Sequence, residues 1–217
     1  MKTIHILILS ISILFSLLVH SDEIKPSRAT LESNVGEMKV EMVKLENGSW
    51  KLNSLLDGGS IVRREESEIF ELIDIQIRPI NYRFNQRILF RRSKSSADFD
   101  WENKTVSYAE NKDKGNIVLS ENVLGPSSAS LQLRLDFREF GEKDIPDVIS
   151  YKVFWKGEIK NRTYDISKEK ESIETPFGTF NAYKVSRKFE NVNDRSQVFW
   201  LAPDLDFAVI KIYDKND

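Results

Sequence analysis

The stretch DVISYKVFWKG, residues 147–157, alternates with a period of two, so that Ile149, Tyr151, Val153 and Trp155 fall on one face. A helix would scatter those four side chains around its axis, whereas a half-buried strand lines them up. The same pattern recurs from Val35 onward. GEMKVEMVKL (36–45) sets Val40 and Met42 against Lys39 and Glu41, and NAYKVSRKF (181–189) sets Tyr183, Val185 and Phe189 on one side. WKLNSLL, RILFRRS, KTVSYAEN, GNIVLSEN, RSQVFWL and FAVIKIY repeat it. Turn residues punctuate the runs, among them NGS at 47–49 and DGGS at 57–60. The region 65–73 has some helical character, but its β-branched residues and Pro79 favour strands. EIKNRTYDISKEKESIE (158–174) reads as a more exposed strand pair. The pattern predicts a mainly β chain of about ten antiparallel strands, in a curved sheet or an open barrel.

One segment interrupts the strands. GPSSASLQLRLDFREFG (125–141) opens on Pro126 and two serines and closes on glycine, which are helix start and stop signals. Leu131, Leu133 and Leu135 alternate as in a strand. The good helix formers and the framing predict a helix over 127–139, and such a helix could plug the concave face of a curved sheet.

The N-terminus determines where such a chain works. Lys2 is followed by an apolar run from Ile4 to Val19 and then VHS before Asp22 and Glu23, the layout of a secretory signal peptide cleaved after Ser21. Read as an uncleaved anchor, the run is short and is interrupted by His5, Ser10, Ser12 and Ser16, where a span needs about 20 apolar residues. The expected organisation is a signal peptide at 1–21, an N-terminal extension at 22–34 and a single β-rich domain at 35–217. The expected location is the periplasm, with no transmembrane segment after cleavage. The chain has no cysteine, so it carries neither a lipoprotein anchor nor a disulfide and must rely on its core.

What is missing restricts the chemistry. The two histidines, His5 and His20, both lie in the leader. The remainder therefore has no Ser-His-Asp or Cys-His arrangement and none of the usual zinc, copper or haem ligands. No Walker loop, GxGxxG or G-x-S-x-G is present. No cofactor and no metal are expected, and an enzyme would have to work with carboxylates. The formal charge of −2 moves to about −3 once Lys2 is removed, and basic clusters are confined to RR at 63–64 and RILFRR at 87–92. A nucleic-acid partner is not expected, because it would need a broad basic face.

Three motifs carry paired or constrained residues. Asp204 and Asp206 in FWLAPDLDF follow Pro203 between two strand patterns, which makes them a turn. Asp98 and Asp100 in DFDW share a solvated strand face opposite Phe99 and Trp101. TPFGT (175–179) matches a type II turn with Gly178 supplying the positive φ.

Taken in order, IRPINYRF (77–84), DFDW (98–101), the helix opened by PSS, SIETPFGTFNAYKVSR (172–187) and VFWLAPDLDFAVIKI (198–212) resemble the bacterial exported family known as domain of unknown function 3108. The resemblance covers essentially the whole chain after the leader, and departs from it at Ala208, where a proline is expected. It implies an envelope protein with a mostly antiparallel β-fold, and it brings no enzymatic activity.

Outside the leader lie 22 Phe, Trp and Tyr residues, most of which must fill the core. Those that do not would line an apolar cavity enclosed by the curved sheet. Trp50, Trp155, Tyr183 and Trp200, all on alternating strands, are the candidate ligand-binding residues. The functional expectation is a non-enzymatic binding or carrier module for an apolar envelope molecule such as a lipid. The alternatives are an interaction module for another envelope protein and a carboxylate-based hydrolase of envelope glycans.

Overall fold

Each alternating run pairs with the next in line, because short turns return the chain antiparallel to itself. In a computed structural model, residues 24–33, 35–189 and 195–216 are described; the leader expected at 1–21 lies outside them. The first sheet is an uninterrupted meander of β1 (Ser27–Ser33), β2 (Gly36–Lys44), β3 (Trp50–Gly58), β4 (Val62–Ile73), β5 (Gln76–Ile88), β6 (Arg91–Asp100), β7 (Thr105–Glu110) and β8 (Asp113–Val118). It curls into a half-barrel. After the short β9 (Val123–Leu124) comes helix α1 (Ser128–Phe140), then β10 (Val148–Trp155), β11 (Glu158–Thr175), β12 (Gly178–Arg187), β13 (Arg195–Ala202) and β14 (Ala208–Asn216). These form a second sheet in the order β14-β13-β12-β11-β10-β9, with β9 parallel to β10. The protein is mainly β with one helix, and fourteen strands are found among the described residues where the pattern predicts about ten.

Part of the difference lies in residues 22–34, expected as an extension. They contain β1, which pairs with β2 from Ser27↔Met42 to Ser33↔Gly36 and forms an edge of the first sheet. Ile24, just before it, is buried in the core. The expected strand pair at 158–174 is instead one 18-residue strand, β11, which no glycine or proline divides. The irregularity is absorbed between Ile166 and Lys170, where the register with β12 shifts. β11 is also less exposed than expected, for Arg162, Tyr164, Ile166 and Ile173 are buried.

The helix begins and ends within a residue of the expected span and lies between the two sheets. Ala129, Leu131 and Leu135 pack with Met42, Trp50, Phe70 and Ile77 of the first sheet. Leu133 and Phe137 pack with Tyr164, Tyr183, Val185, Phe199 and Leu201 of the second. This resolves the strand-like leucines. Residues two apart on a helix sit about 200° apart, and residues four apart share a face. A helix buried on two opposite sides therefore carries an alternating sequence. Phe137 meets Tyr183 and Phe207 edge-on at 6.0 and 5.7 Å, fixing the helix to the second sheet.

A polar contact fixes it to the first. The buried Gln132 accepts the Ile77 N–H at 2.8 Å and donates to the Ile75 carbonyl at 3.0 Å and to Asp136 at 2.8 Å. Beyond the helix, Phe99 and Phe154 close the rest of the first sheet onto β10 with rings 5.7 Å apart. Among the described residues no helix is long and apolar enough to cross a membrane.

The three motifs are turns and solvated faces. Pro203–Leu205 form a single 3-10 turn, and Asp206 adopts a left-handed conformation with its N–H on the Pro203 carbonyl at 2.9 Å. The carboxylate of Asp206 also takes Arg134 at 2.7 Å and Arg138 at 2.9 Å, so this turn ties the β13–β14 hairpin to the helix. Asp98 and Asp100 are exposed while Phe99 is buried; Asp98 pairs with Arg83 at 2.6 Å and Asp100 accepts the Asn103 N–H at 2.9 Å. In TPFGT, Pro176 and Phe177 are the two loop residues. Gly178, at φ +132°, pairs with Thr175 across the hairpin, so the positive φ closes the turn and is not at its centre, as a type II turn would have it.

Candidate functional site

The helix fills the middle of the space between the sheets and leaves one end open. There, the free edges β1 and β14 face a cavity of about 360 Å³ without hydrogen-bonding to each other. One wall is apolar, built from Leu31, Val40, Met42 and Leu52 of β1–β3, Leu131 of the helix, and Phe199, Val209 and Ile212 of β13 and β14. Val40 and Met42 are alternate positions of β2, and on β14 the register shift at Trp200/Leu201 puts Val209 and Ile212, three residues apart, opposite Leu201 and Phe199 on one face.

The other wall is charged. Arg64, Arg134, Arg162 and Arg187 line the cavity together with the carboxylates of Glu66 and Asp214. Arg162 is almost fully buried, lies over the Trp155 ring at 5.3 Å and donates to the Pro126 carbonyl at 3.2 Å. Burial pulls its pKa down, and the neighbouring Tyr164 hydroxyl and the Glu66 charge act against that. Arg64 bonds Glu66 at 2.7 Å and stacks over Phe84 at 5.3 Å. Arg187 stacks over Phe189 at 4.5 Å and donates to Gln197 at 3.3 Å. Arg134 is already held by Asp206, so three further guanidinium groups face the carboxylates of Glu66 and Asp214, and an anionic group at this end of the cavity would be attracted.

The floor beside that wall is the start of the helix. Its N-terminal N–H groups are not capped by a serine hydroxyl. Instead Glu68 of β4 accepts the Ser127 and Ser128 N–H groups at Oε2, at 2.9 and 3.2 Å. The Ser127 hydroxyl turns away and donates to Glu66 at 2.7 Å. Glu68 is fully buried, and its Oε1 has no hydrogen-bond partner among the described residues. Burial pushes its carboxyl up to about 7, against the bonds from Ser128 and Ser127 that favour the charged form. Gly125 is there for space: a Cβ at that position would lie 2.2–2.4 Å from the Glu68 carboxyl atoms.

Of the four aromatic candidates, Trp155 lines this cavity. Trp50 is buried in the core with Phe70 and the helix. Tyr183 packs on Phe137 and donates to Glu142 at 3.1 Å. Trp200 belongs to a small cluster with Ile173, Ala182 and Val198 and donates to Glu171 at 2.7 Å. The alternation places Trp200 opposite Phe199 and Leu201, on the face turned away from the helix. The sequence does not single out these arginines, since Arg162 falls in a segment whose pattern is that of an exposed strand pair and Arg134 and Arg187 carry no local signal. Only Arg64 sits in a basic cluster visible in the sequence.

A larger groove of about 760 Å³ lies across the other face of the first sheet, lined by Lys39, Glu41, Asn53, Glu65, Asn85 and Lys94 among others. It is a furrow between polar side chains of a single sheet, without the enclosing second wall. Among the described residues no group of three or more histidines, cysteines, aspartates or glutamates could hold a metal ion.

Residues 28–214 match the family model described as protein of unknown function, DUF3108. The chain belongs to that family. For this DUF3108 member, no match was found among curated proteins. A solved structure with a similar fold is the crystal structure of a β-barrel-like protein of domain of unknown function DUF1849 from Brucella abortus. The two share 11% sequence identity at a TM-score of 0.52, over 88% of this chain and 92% of the other. At that identity the likeness is one of fold.

Proposed function

We propose that this DUF3108 protein is an exported, non-enzymatic carrier that holds an amphipathic envelope molecule, such as a lipid, between its two sheets. The observation that carries the reading is the cavity beside the helix, with an apolar wall from both sheets and four arginines at its charged side. Its volume falls in the range of small-molecule sites, about 300–1,000 Å³. An acyl chain gains about 0.8 kcal/mol per methylene buried, so a dozen methylenes offset the costs of association. The arginines select an anionic head. The same residues support binding without chemistry. Glu68 is completely enclosed and occupied with the helix terminus, so of the neighbouring pair only Glu66 reaches the cavity. Export to the periplasm rests on the leader at 1–21.

Protein purified from cell envelopes should release a stoichiometric amphiphile on organic extraction, visible beforehand as a mass adduct by native mass spectrometry. The purified protein should also take up a fluorescent long-chain fatty acid saturably at one per chain. Val40→Trp, which fills the apolar wall, should abolish that uptake. Arg64→Gln should weaken the fatty acid more than a neutral alcohol of equal length. Absence of both a bound amphiphile and saturable uptake would overturn the carrier reading.

A further inference from the structure

The basic cluster RILFRR at 87–92 has no part in the cavity, and the structure gives it an unusual form. Ile88 pairs with Arg91, so Leu89 and Phe90 are the two loop residues of the β5–β6 hairpin. Phe90 is 100% exposed and Leu89 57%. Leu89 also holds φ at +51°, at the first loop position, where glycine is the favoured residue. Folding explains neither choice, for a leucine there is strained and both side chains are left in water.

The neighbouring turns extend the patch. The Leu89 N–H donates to the Ile61 carbonyl at 2.7 Å, which joins this tip to the β3–β4 tip, and Ile61 is 58% exposed. Val35, beside Gly58 in the same row of turns, is exposed as well.

Below the tip the charges are arranged against folding. Arg63 stands directly opposite Arg87, and Arg87 directly opposite Arg92, on one face of three adjacent strands. Like charges placed so repel each other across a sheet. Arg63 is compensated by Asp57 at 3.1 Å and Glu65 at 2.7 Å, and Arg87 donates to the Gly59 carbonyl at 2.8 Å. Among the described residues Arg91 and Arg92 form no ion pair, and both are exposed. Arg63, Arg87, Arg92 and Lys94 line a hollow of about 260 Å³ with Glu65 and Asn85.

We propose that this end of the first sheet docks on a lipid surface bearing anionic headgroups. Leu89 and Phe90 enter the acyl boundary, and the arginine row meets the headgroup phosphates. Charge complementarity and the narrowness of the apolar patch favour a membrane over a protein partner. A protein interface of ordinary size takes about 800 Å² per partner, more than a few hairpin tips provide. The inference does not depend on the cavity's having a ligand.

The chain has no cysteine, so Phe90→Cys provides a unique thiol for an environment-sensitive fluorophore. With the purified full chain, the label at 90 should shift to the blue and brighten on vesicles containing phosphatidylglycerol, and far less on purely zwitterionic vesicles. A label at Phe177→Cys, an almost equally exposed tip of another hairpin, should not respond; any response there controls for attachment through the leader. Arg87→Gln with Arg92→Gln, in the labelled protein, should weaken the anionic response by about 25-fold. Leu89→Gly with the label in place relieves the strained φ but removes an inserting side chain, so it should weaken the anionic response, and an unchanged response would count against the proposal. A label at 90 that does not respond, that responds equally on both vesicle types, or that responds no more than the label at 177 would overturn the proposal. So would capture of a protein partner that keeps the label at 90 from reaching vesicles.

Discussion

Replacing Glu68 by glutamine should remove a pH dependence of stability that the buried carboxyl imposes. In the folded protein burial lifts its pKa to about 7, from 4.5 in the ordinary state. Between those values the unfolded chain has released the proton while the folded protein still holds it. The contribution of Glu68 to stability is therefore greatest below about 4.5, falls as pH rises through the window, and levels off above about 7. At about 1.36 kcal/mol per pKa unit, the full fall is on the order of 3 kcal/mol. Glutamine cannot titrate, and its oxygen still accepts the Ser127 and Ser128 N–H groups. The measurement is urea unfolding followed by tryptophan fluorescence from pH 5 to 8.5 for both proteins. Other groups titrate equally in each, so the informative quantity is wild type minus variant. That difference should drop by about 2–3 kcal/mol across the range. The competing physics is explicit, since two N–H donors and the helix dipole favour the anion. A difference that stays flat within about 0.5 kcal/mol, or rises with pH, means that they outweigh burial, and the account of Glu68 is then wrong.

Two further predictions concern how the helix is seated. Gly125→Ala should cost about 1–3 kcal/mol through overpacking against the Glu68 carboxyl. In a Glu68→Ala background the same substitution should cost much less, and a double-mutant cycle by urea unfolding measures the coupling. Phe137→Ala, which empties the contact of the helix with Tyr183 and Phe207, should lower stability by about 3–5 kcal/mol in a single cooperative transition. Early loss of the second sheet alone, seen as two transitions, would contradict a helix core shared by both sheets.

The local periodicities were legible in the chain itself. Period-two alternation dictates strands wherever one face meets a core and the other meets water, and glycine, proline and asparagine mark several of the turns between them for reasons of backbone geometry. Hence the β class, the turn at Pro203–Asp206 and the helix after Pro126 follow from the residues alone. What required tertiary structure is what depends on partners distant in sequence. The leucines at 131, 133 and 135 alternate because the helix is buried by a different sheet on each side, and no local window contains both sheets. Glu68 looks like one acid in the run REESE, and only the fold brings it 59 residues along the chain to the N–H of Ser127. The arginines of the cavity come from β4, α1, β11 and β12, so their convergence is a property of sheet order. Of the aromatic candidates Trp155 borders the cavity while Trp50, Tyr183 and Trp200 lie elsewhere, for the same reason: alternation shows that a residue shares a face with its neighbours two away, but which face is packed solid and which borders a cavity depends on how the two sheets close around the helix.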